Sequence, residues 1–327
     1  MTNIIEPPGK LVQILKQAQN VLVATHVYPD GDALGSQLAL GDILTSLGKN
    51  VIMYGEEPVT YLYDFLPGSE KINTDFEVLE SFDCMVALDC GDKYRLGKAM
   101  DQLLTIHPTI MIDHHAGHKL FGDIQWVDPG RAATGEMVYD LAKALGAGVS
   151  YDAAYCLYTA IVSDSGSFKY SSTTGNTLHV AGKLVECGVR PSDVAGQLFD
   201  NFSVNRLRLM RMVLDSLELH HDDRLALIYA THEMFEITGT IQADTENFIN
   251  YPRALATVKV AVFIKESPDN GMISVSLRSK GNEHDVAAVA TEFGGGGHRN
   301  AAGFKVRDKG VMQVRDELLE KLQPLVA

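Results

Sequence analysis

Apolar and polar positions along the chain follow two different rhythms. Short apolar runs rich in β-branched residues at 20–25, 50–54, 83–89 and 108–113 predict buried strands. Between and after them the apolar spacing becomes helical. It predicts helices at 9–19, at 33–47 with a stop at Gly48, at 134–145 closed by Gly146, and at 151–162. Strands alternating with helices indicate α/β architecture, a parallel and doubly wound sheet. From about Val194 to Leu219 the pattern is long and helical, and it predicts a linker helix whose Arg206, Arg208 and Arg211 form a solvated face. Beyond it, 225–230, 257–264, 272–278 and 304–306 are β-like, while 285–293 and 311–322 are helical. That looser order predicts a smaller α+β domain. The expected organisation is a first domain over 1–193, a linker over 194–221 and a second domain over 222–327.

The strand ends carry the chemistry. Residues 26–36 read His-Val-Tyr-Pro-Asp-Gly-Asp-Ala-Leu-Gly-Ser, which places His26, Asp30 and Asp32 on the turn at the carboxyl end of a strand. Ligands of open α/β sheets bind at that edge. A Pro-Asp-Gly turn accounts for one Asp. By itself the stretch reads equally as half of a two-metal site or as an acidic turn. Asp89 and Asp113 end two further strands, and His114 and His115 follow directly. One strand-terminal Asp is often a helix cap, but several beside three histidines are hard to explain that way. Crowded carboxylates repel unless a cation neutralises them. A pair of divalent ions would do so and would activate a water. Asp164, after a buried helix, is placed to supply a last carboxylate.

Charge narrows the partners. There are 28 Lys and Arg against 42 Asp and Glu, a formal charge of −14. Such a surface disfavours long polyanions, which need broad basic tracks. It permits a small anionic substrate in a locally positive, metal-lined pocket. Cys84, Cys90, Cys156 and Cys187 show no paired spacing and read as thiols of a reducing compartment. The first residues lack a basic patch and a long apolar run, so no secretory signal is expected. No stretch is long enough to cross a membrane, and the expected location is cytoplasmic.

Gly294, Gly295, Gly296 and Gly297 precede His298 without the Lys-Ser/Thr ending of a P-loop. The run reads as a flexible turn, or as a nest of backbone N–H groups for a phosphate with His298 nearby. Arg278 could pair with the same phosphate bidentately. His107, His118, His179, His220, His221, His232 and His284 match no motif and read as surface or structural.

In order and spacing, Asp30-Gly-Asp32, Asp89, Asp113-His114-His115 and Asp164-Ser-Gly resemble the four motifs of the DHH phosphoesterase superfamily. The stretch from Gly294 to Gly303 resembles the signature of the associated DHHA1 domain. Size and layout are similar to the nanoRNase/pAp-phosphatase branch, two-domain enzymes that degrade very short RNAs and dephosphorylate 3′-phosphoadenosine 5′-phosphate (pAp). The resemblance implies two divalent ions per chain, with Mn²⁺ expected and Mg²⁺ or Co²⁺ as alternatives. His26 and Asp30 would bind one and Asp32 and His114 the other; Asp89 would bridge them and Asp164 complete the shell. Asp113 would orient an imidazole, and His115 would face the scissile phosphate. Tyr28 stands where the family usually has Asn, and Ser165 replaces the usual Thr. Lys169 sits where the branch often has Arg, a substrate contact. The implied partners are short single-stranded RNA, dinucleotides and pAp, with no long duplex and no membrane; a homodimer is compatible. Rival readings are a linear or cyclic dinucleotide phosphodiesterase, a RecJ-like exonuclease, a pyrophosphatase or exopolyphosphatase, and a non-catalytic nucleotide sensor.

Overall fold

A computed structural model describes residues 4–75, 82–115, 117–268, 271–281 and 283–326. The chain forms two compact units, one running to Asn201 and the other starting at Phe202.

The first unit is built on strands β1 (Asn20–Ala24), β2 (Asn50–Tyr54), β3 (Ile72–Asn73), β4 (Cys84–Leu88), β5 (Thr109–Asp113) and β6 (Ile124–Val127). Their order is β3-β2-β1-β4-β5-β6, and every pairing is parallel. The near-continuous apolar runs of β4 and β5 are buried along their whole length, as a parallel sheet covered on both faces requires. Along β1, Val21 and Val23 face one apolar cluster, and Leu22 and Ala24 face the other. The strand order reverses between β1 and β4, so the loops leaving these strands emerge side by side. That is the switch point where α/β sheets hold ligands.

Helix Gly31–Ser46 starts at this point, capped by Asp30, whose carboxylate accepts the N–H groups of Asp32 and Ala33. It is buried almost all round. It packs against helix Tyr151–Asp164, which in turn touches helix Thr134–Leu145. Two glycines make these contacts close. A Cβ at Gly35 would run into the Cys156 carbonyl, and one at Gly135 would stand 2.8 Å from the Ala160 methyl. At Gly35 the helices therefore meet backbone to backbone, and at Gly135 backbone meets a methyl group.

The expected linker helix is two shorter ones. Helix Pro191–Phe199 stops, and Ser203 caps helix Val204–Asp215 by accepting Arg206 N–H at 3.0 Å. A serine that bonds its own backbone favours starting a helix over continuing one. Arg206 is buried, not solvated: it stacks 4.0 Å from the Phe202 ring and donates to the Asp244 and Glu246 carbonyls. Residues Glu218–His220, also read as helix, form strand β7.

The second unit continues with β8 (Leu225–Ala230), β9 (Val260–Glu266), β10 (Ile273–Ser279), β11 (Gly296–His298) and β12 (Ala301–Val306), in the order β11-β12-β10-β9-β8-β7. Only the β8–β9 pairing is parallel. Helices Val286–Glu292 and Val311–Val326 cover one face, over Val262, Ile264, Val275 and Leu277. Helices Val204–Asp215 and His232–Thr238 cover part of the other, over Ala226, Ile228, Ala261 and Phe263. Among the described residues no helix is long and apolar enough to cross a membrane.

Candidate metal centre

The loops after β1, β4 and β5 and the ends of two helices bring seven polar side chains into one partly buried cluster. His26 Nε2 lies 3.5 Å from Asp89 Oδ2. Its other nitrogen is paired with the Val27 carbonyl at 2.9 Å. His114 Nε2 lies 3.1 Å from Asp164 Oδ2, 3.5 Å from Asp89 Oδ1 and 3.7 Å from Asp32 Oδ2. Its Nδ1 faces the Arg131 carbonyl at 3.2 Å, which fixes the proton there and leaves Nε2 for the centre. The ligand atoms of His26, Asp30 and Asp89 lie within 4.8 Å of one another, as do those of Asp32, His114 and Asp164, and of Asp89, His114 and His115. The groups share Asp89 and His114. Four carboxylates and a set of imidazoles are donors suited to Mn²⁺ or Mg²⁺ rather than to a thiophilic ion.

Electrostatics shows what this crowding costs. Burial raises the Asp30 and Asp32 carboxyls, Asp32 strongly, and the neighbouring Asp89 charge raises both further. Burial works against charge on Asp89 too, but His115, His26 and His114 outweigh it and hold that carboxyl well below the usual range. Burial would deprotonate His114, yet Asp164, Asp89 and Asp32 raise it well above an ordinary imidazole. Without a metal, protons balance the cluster; a divalent cation would replace them.

Asp113 stands behind His115. Its Oδ1 accepts His115 Nδ1 at 2.6 Å and the His115 backbone N–H at 3.1 Å. This contact and the Asp89 charge raise the His115 ring against the lowering effect of burial. His115 is also partly exposed, whereas Asp113 is not. The cluster thus contains a fixed imidazole that can hold a proton toward solvent.

Several contributors were not legible in the sequence. Thr134 Oγ1 donates to Asp89 Oδ1 at 3.0 Å, and the N–H groups of Thr134 and Gly135 donate to the two oxygens of Asp32 at 2.7 and 3.0 Å. This helix N-terminus thereby steadies two carboxylates. Arg131, buried among Asp128, Glu136 and Asp140, anchors the loop whose carbonyl meets His114. His118, read as surface or structural, is buried with Nε2 at 3.4 Å from Asp113 Oδ2, on the side away from His115. Asp89 itself has a left-handed backbone (φ 53°), a conformation Asp tolerates better than most residues.

The other residues expected to meet substrate are Lys169 in the first unit and Arg278 and the glycine run in the second. Lys169 is exposed, and among the described residues it makes no hydrogen bond or ion pair. Arg278 lies on β10 of the second unit. The glycine run is neither a free turn nor an open nest. Gly294 and Gly295 N–H groups are spent on the Thr291 and Ala290 carbonyls at the end of a helix, and Gly296–His298 is strand β11, paired with β12. Gly295 packs where a Cβ would strike the Gly303 carbonyl. The His298 side chain lies outside the described ones.

A parallel sheet with a His/Asp cluster at its switch point, followed by a second mixed-sheet unit, defines the class. The DHH family, N-terminal domain, matches residues 20–161, and the DHHA1 domain matches residues 230–327. The chain belongs to the DHH/DHHA1 phosphoesterase superfamily and to its nanoRNase/pAp-phosphatase branch. It is 31% identical over 315 residues, 96% of this chain and 92% of the relative, to the Bifunctional oligoribonuclease and PAP phosphatase NrnA of Thermus thermophilus. The protein of that name from Bacillus subtilis is 28% identical over 91% of this chain and 92% of its own. Among solved structures, an exopolyphosphatase-related protein from Bacteroides fragilis superposes with a TM-score of 0.88 at 30% identity, covering 97% of this chain and 96% of the other.

Proposed function

We propose that this chain is a two-metal phosphoesterase that hydrolyses oligoribonucleotides of about two to five units to mononucleotides and converts pAp to AMP. One observation carries the reading: the triads His26–Asp30–Asp89 and Asp32–His114–Asp164 lie side by side, joined through the Asp89–His114 approach. The activity in the names of the Thermus and Bacillus relatives supports the same substrates.

His26, Asp30 and Asp89 would hold one ion and Asp32, His114 and Asp164 the other, with Asp89 shared and Mn²⁺ the ion of choice. When bound, the ions supply Lewis acidity at the phosphoryl oxygens and lower the pKa of water. The chain does the rest. Thr134 and Gly135 hold Asp89 and Asp32 in place. Asp113 fixes the His115 ring through Nδ1, so that Nε2 presents a proton to a phosphoryl oxygen as negative charge develops there. In the second unit, Arg278 offers a planar fork to a terminal phosphate. The backbone of β11 reaches the same row of the sheet, since His298 pairs with Ala301 and Ala301 with Arg278.

Turnover of pAp, a linear dinucleotide, a cyclic dinucleotide, a long single strand and pyrophosphate, each with Mn²⁺, tests the reading. The first two should be preferred. Preference for the cyclic dinucleotide, the long strand or pyrophosphate would replace it with the corresponding activity, and no turnover of any would leave a sensor.

A further inference from the structure

Asp113 has two carboxylate oxygens, and His115 uses one of them. Oδ1 accepts the His115 Nδ1 proton at 2.6 Å and the His115 backbone N–H at 3.1 Å. Oδ2 is buried and, among the described residues, accepts no hydrogen bond. A buried carboxylate oxygen left that way is costly. Gly91 packs beside it with no side chain to offer: a Cβ there would stand 3.5 Å from Oδ2. The polar atom that faces Oδ2 is His118 Nε2, at 3.4 Å. The His118 side chain is 3% exposed and the Asp113 side chain not at all.

His118 is held in that place from two sides. Its ring stacks on the Phe121 ring, 15° from parallel with centroids 6.1 Å apart. The next residue is clasped twice: Lys119 N–H donates to the Gly91 carbonyl at 2.8 Å, and Lys119 Nζ to Asp92 Oδ2 at 2.9 Å. These bonds tie the His118 loop to the residues that follow Asp89. Burial lowers the His118 ring below an ordinary imidazole, against the opposing pull of Asp113. The ring is therefore neutral, with one N–H and one bare nitrogen. A carboxylate only accepts, so the nitrogen facing Oδ2 is the one that carries the proton. At 3.4 Å the contact is longer than a formed hydrogen bond, and hydrogen bonds of catalytic sites commonly tighten only when the site is loaded.

We propose that His118 is a positioning residue: its Nε2–H anchors Asp113 Oδ2, so that Oδ1 stays on His115 Nδ1 and His115 Nε2 stays aimed at the phosphoryl oxygen. The inference rests on the phosphoesterase reading above and deepens it. It makes a chain of three side chains, His118–Asp113–His115, in which the outer histidine acts only through the carboxylate. With one oxygen held on each side, Asp113 cannot turn about its Cβ–Cγ bond, and the ring it carries keeps one orientation.

Two measurements on the full-length protein test this. In EDTA, with isotope label in the histidine rings alone, NMR of the wild type should find the His118 proton on Nε2 and a low-field proton on His115 Nδ1. With Mn²⁺ and pAp, His118→Phe keeps an aromatic ring on Phe121 but removes the donor. Its kcat should fall about tenfold or more, the size of one hydrogen bond to a charged group, with KM and bound Mn²⁺ unchanged. In EDTA the same variant should shift the His115 Nδ1 proton. His118→Gln returns an N–H and should recover most of kcat and the wild-type His115 signal. A His118 proton on Nδ1 alone overturns the proposal. So do a wild-type kcat in His118→Phe, equal kcat losses in the two variants, or a loss of bound Mn²⁺. If the wild-type chain turns over none of the substrates, the phosphoesterase reading fails by itself; a shifted His115 proton in His118→Phe then still supports the anchor, and an unshifted one refutes it. The tautomer is read on the wild type, so it decides even where a substitution prevents folding.

Discussion

Replacing Thr134 by Val should disable the metal centre while barely changing its shape. The two side chains have nearly the same volume, and the Thr134 N–H that holds Asp32 is retained. What disappears is one buried O–H donated to the Asp89 carboxylate at 3.0 Å. A hydrogen bond to a charged group is worth about 1.5–3 kcal/mol, roughly one to two powers of ten in an equilibrium constant. Independently, losing a partner that orients a metal ligand typically weakens metal binding about 10- to 100-fold. The half-saturating Mn²⁺ concentration, read from activity and from direct binding, should therefore rise by that factor. Thr134→Ser restores a hydroxyl at the same place and should return most of the loss. Wild-type Mn²⁺ dependence in Thr134→Val would refute the claim that this hydroxyl steadies Asp89. Equal losses in the Val and Ser variants would assign the effect to packing.

Asp89→Asn, which suits the left-handed backbone, should lose bound metal and activity; in EDTA it should also be less stable than wild type, because the His26, His114 and His115 rings lose the carboxylate they hold charged, which outweighs the relief at Asp30 and Asp32. Thermal melts of both metal-free proteins check this. In EDTA, stability of the wild type should fall as pH rises: His114 and Asp32 have raised folded-state values, so each favours the fold while protonated and loses that contribution as pH climbs through its folded value. Melting temperature in EDTA across pH 6 to 9, against the same series in Mn²⁺, tests the sign, and a rising EDTA curve would contradict it. Activity should decline with oligonucleotide length beyond about five units for want of a long basic track; equal rates on a dinucleotide and a long strand in matched salt would count against the assignment. Arg278→Ala should cost about 10- to 100-fold on a 5′-phosphorylated dinucleotide, much less on the unphosphorylated one, with bound Mn²⁺ unchanged by elemental analysis.

The acids at the ends of β4 and β5, and the His26–Asp32 turn, were legible because a short apolar run marks where a strand stops. Which residues would hold those acids was not. The N–H groups that fix Asp32 come from 102 and 103 residues away, and a backbone donor leaves no trace in side-chain pattern. Thr134 looked like an ordinary helix start, and His118 stood three residues past a motif with nothing to tie it to Asp113. β11 was missed because strand signals are side-chain signals and its first two residues are glycines. The 194–219 run read as one helix because apolar spacing persists through the break, while the cap at Ser203 is a local hydrogen bond that periodicity does not register.

Gly35 and Gly135 set the distance between three helices that together carry Asp32, Thr134 and Asp164. Because Gly35 rests on main chain and Gly135 on the Ala160 methyl, the spacing has no long, flexible side chain to absorb a change. Preferred oxygen distances run from about 2.0–2.1 Å for Mg²⁺ to about 2.3–2.6 Å for Ca²⁺, a smaller difference than the shift one added methyl would force. In a centre loaded as proposed, the helix stack would work as a gauge of ion size, and an alanine at Gly35, which lies away from every donor atom, would widen that gauge without changing a ligand.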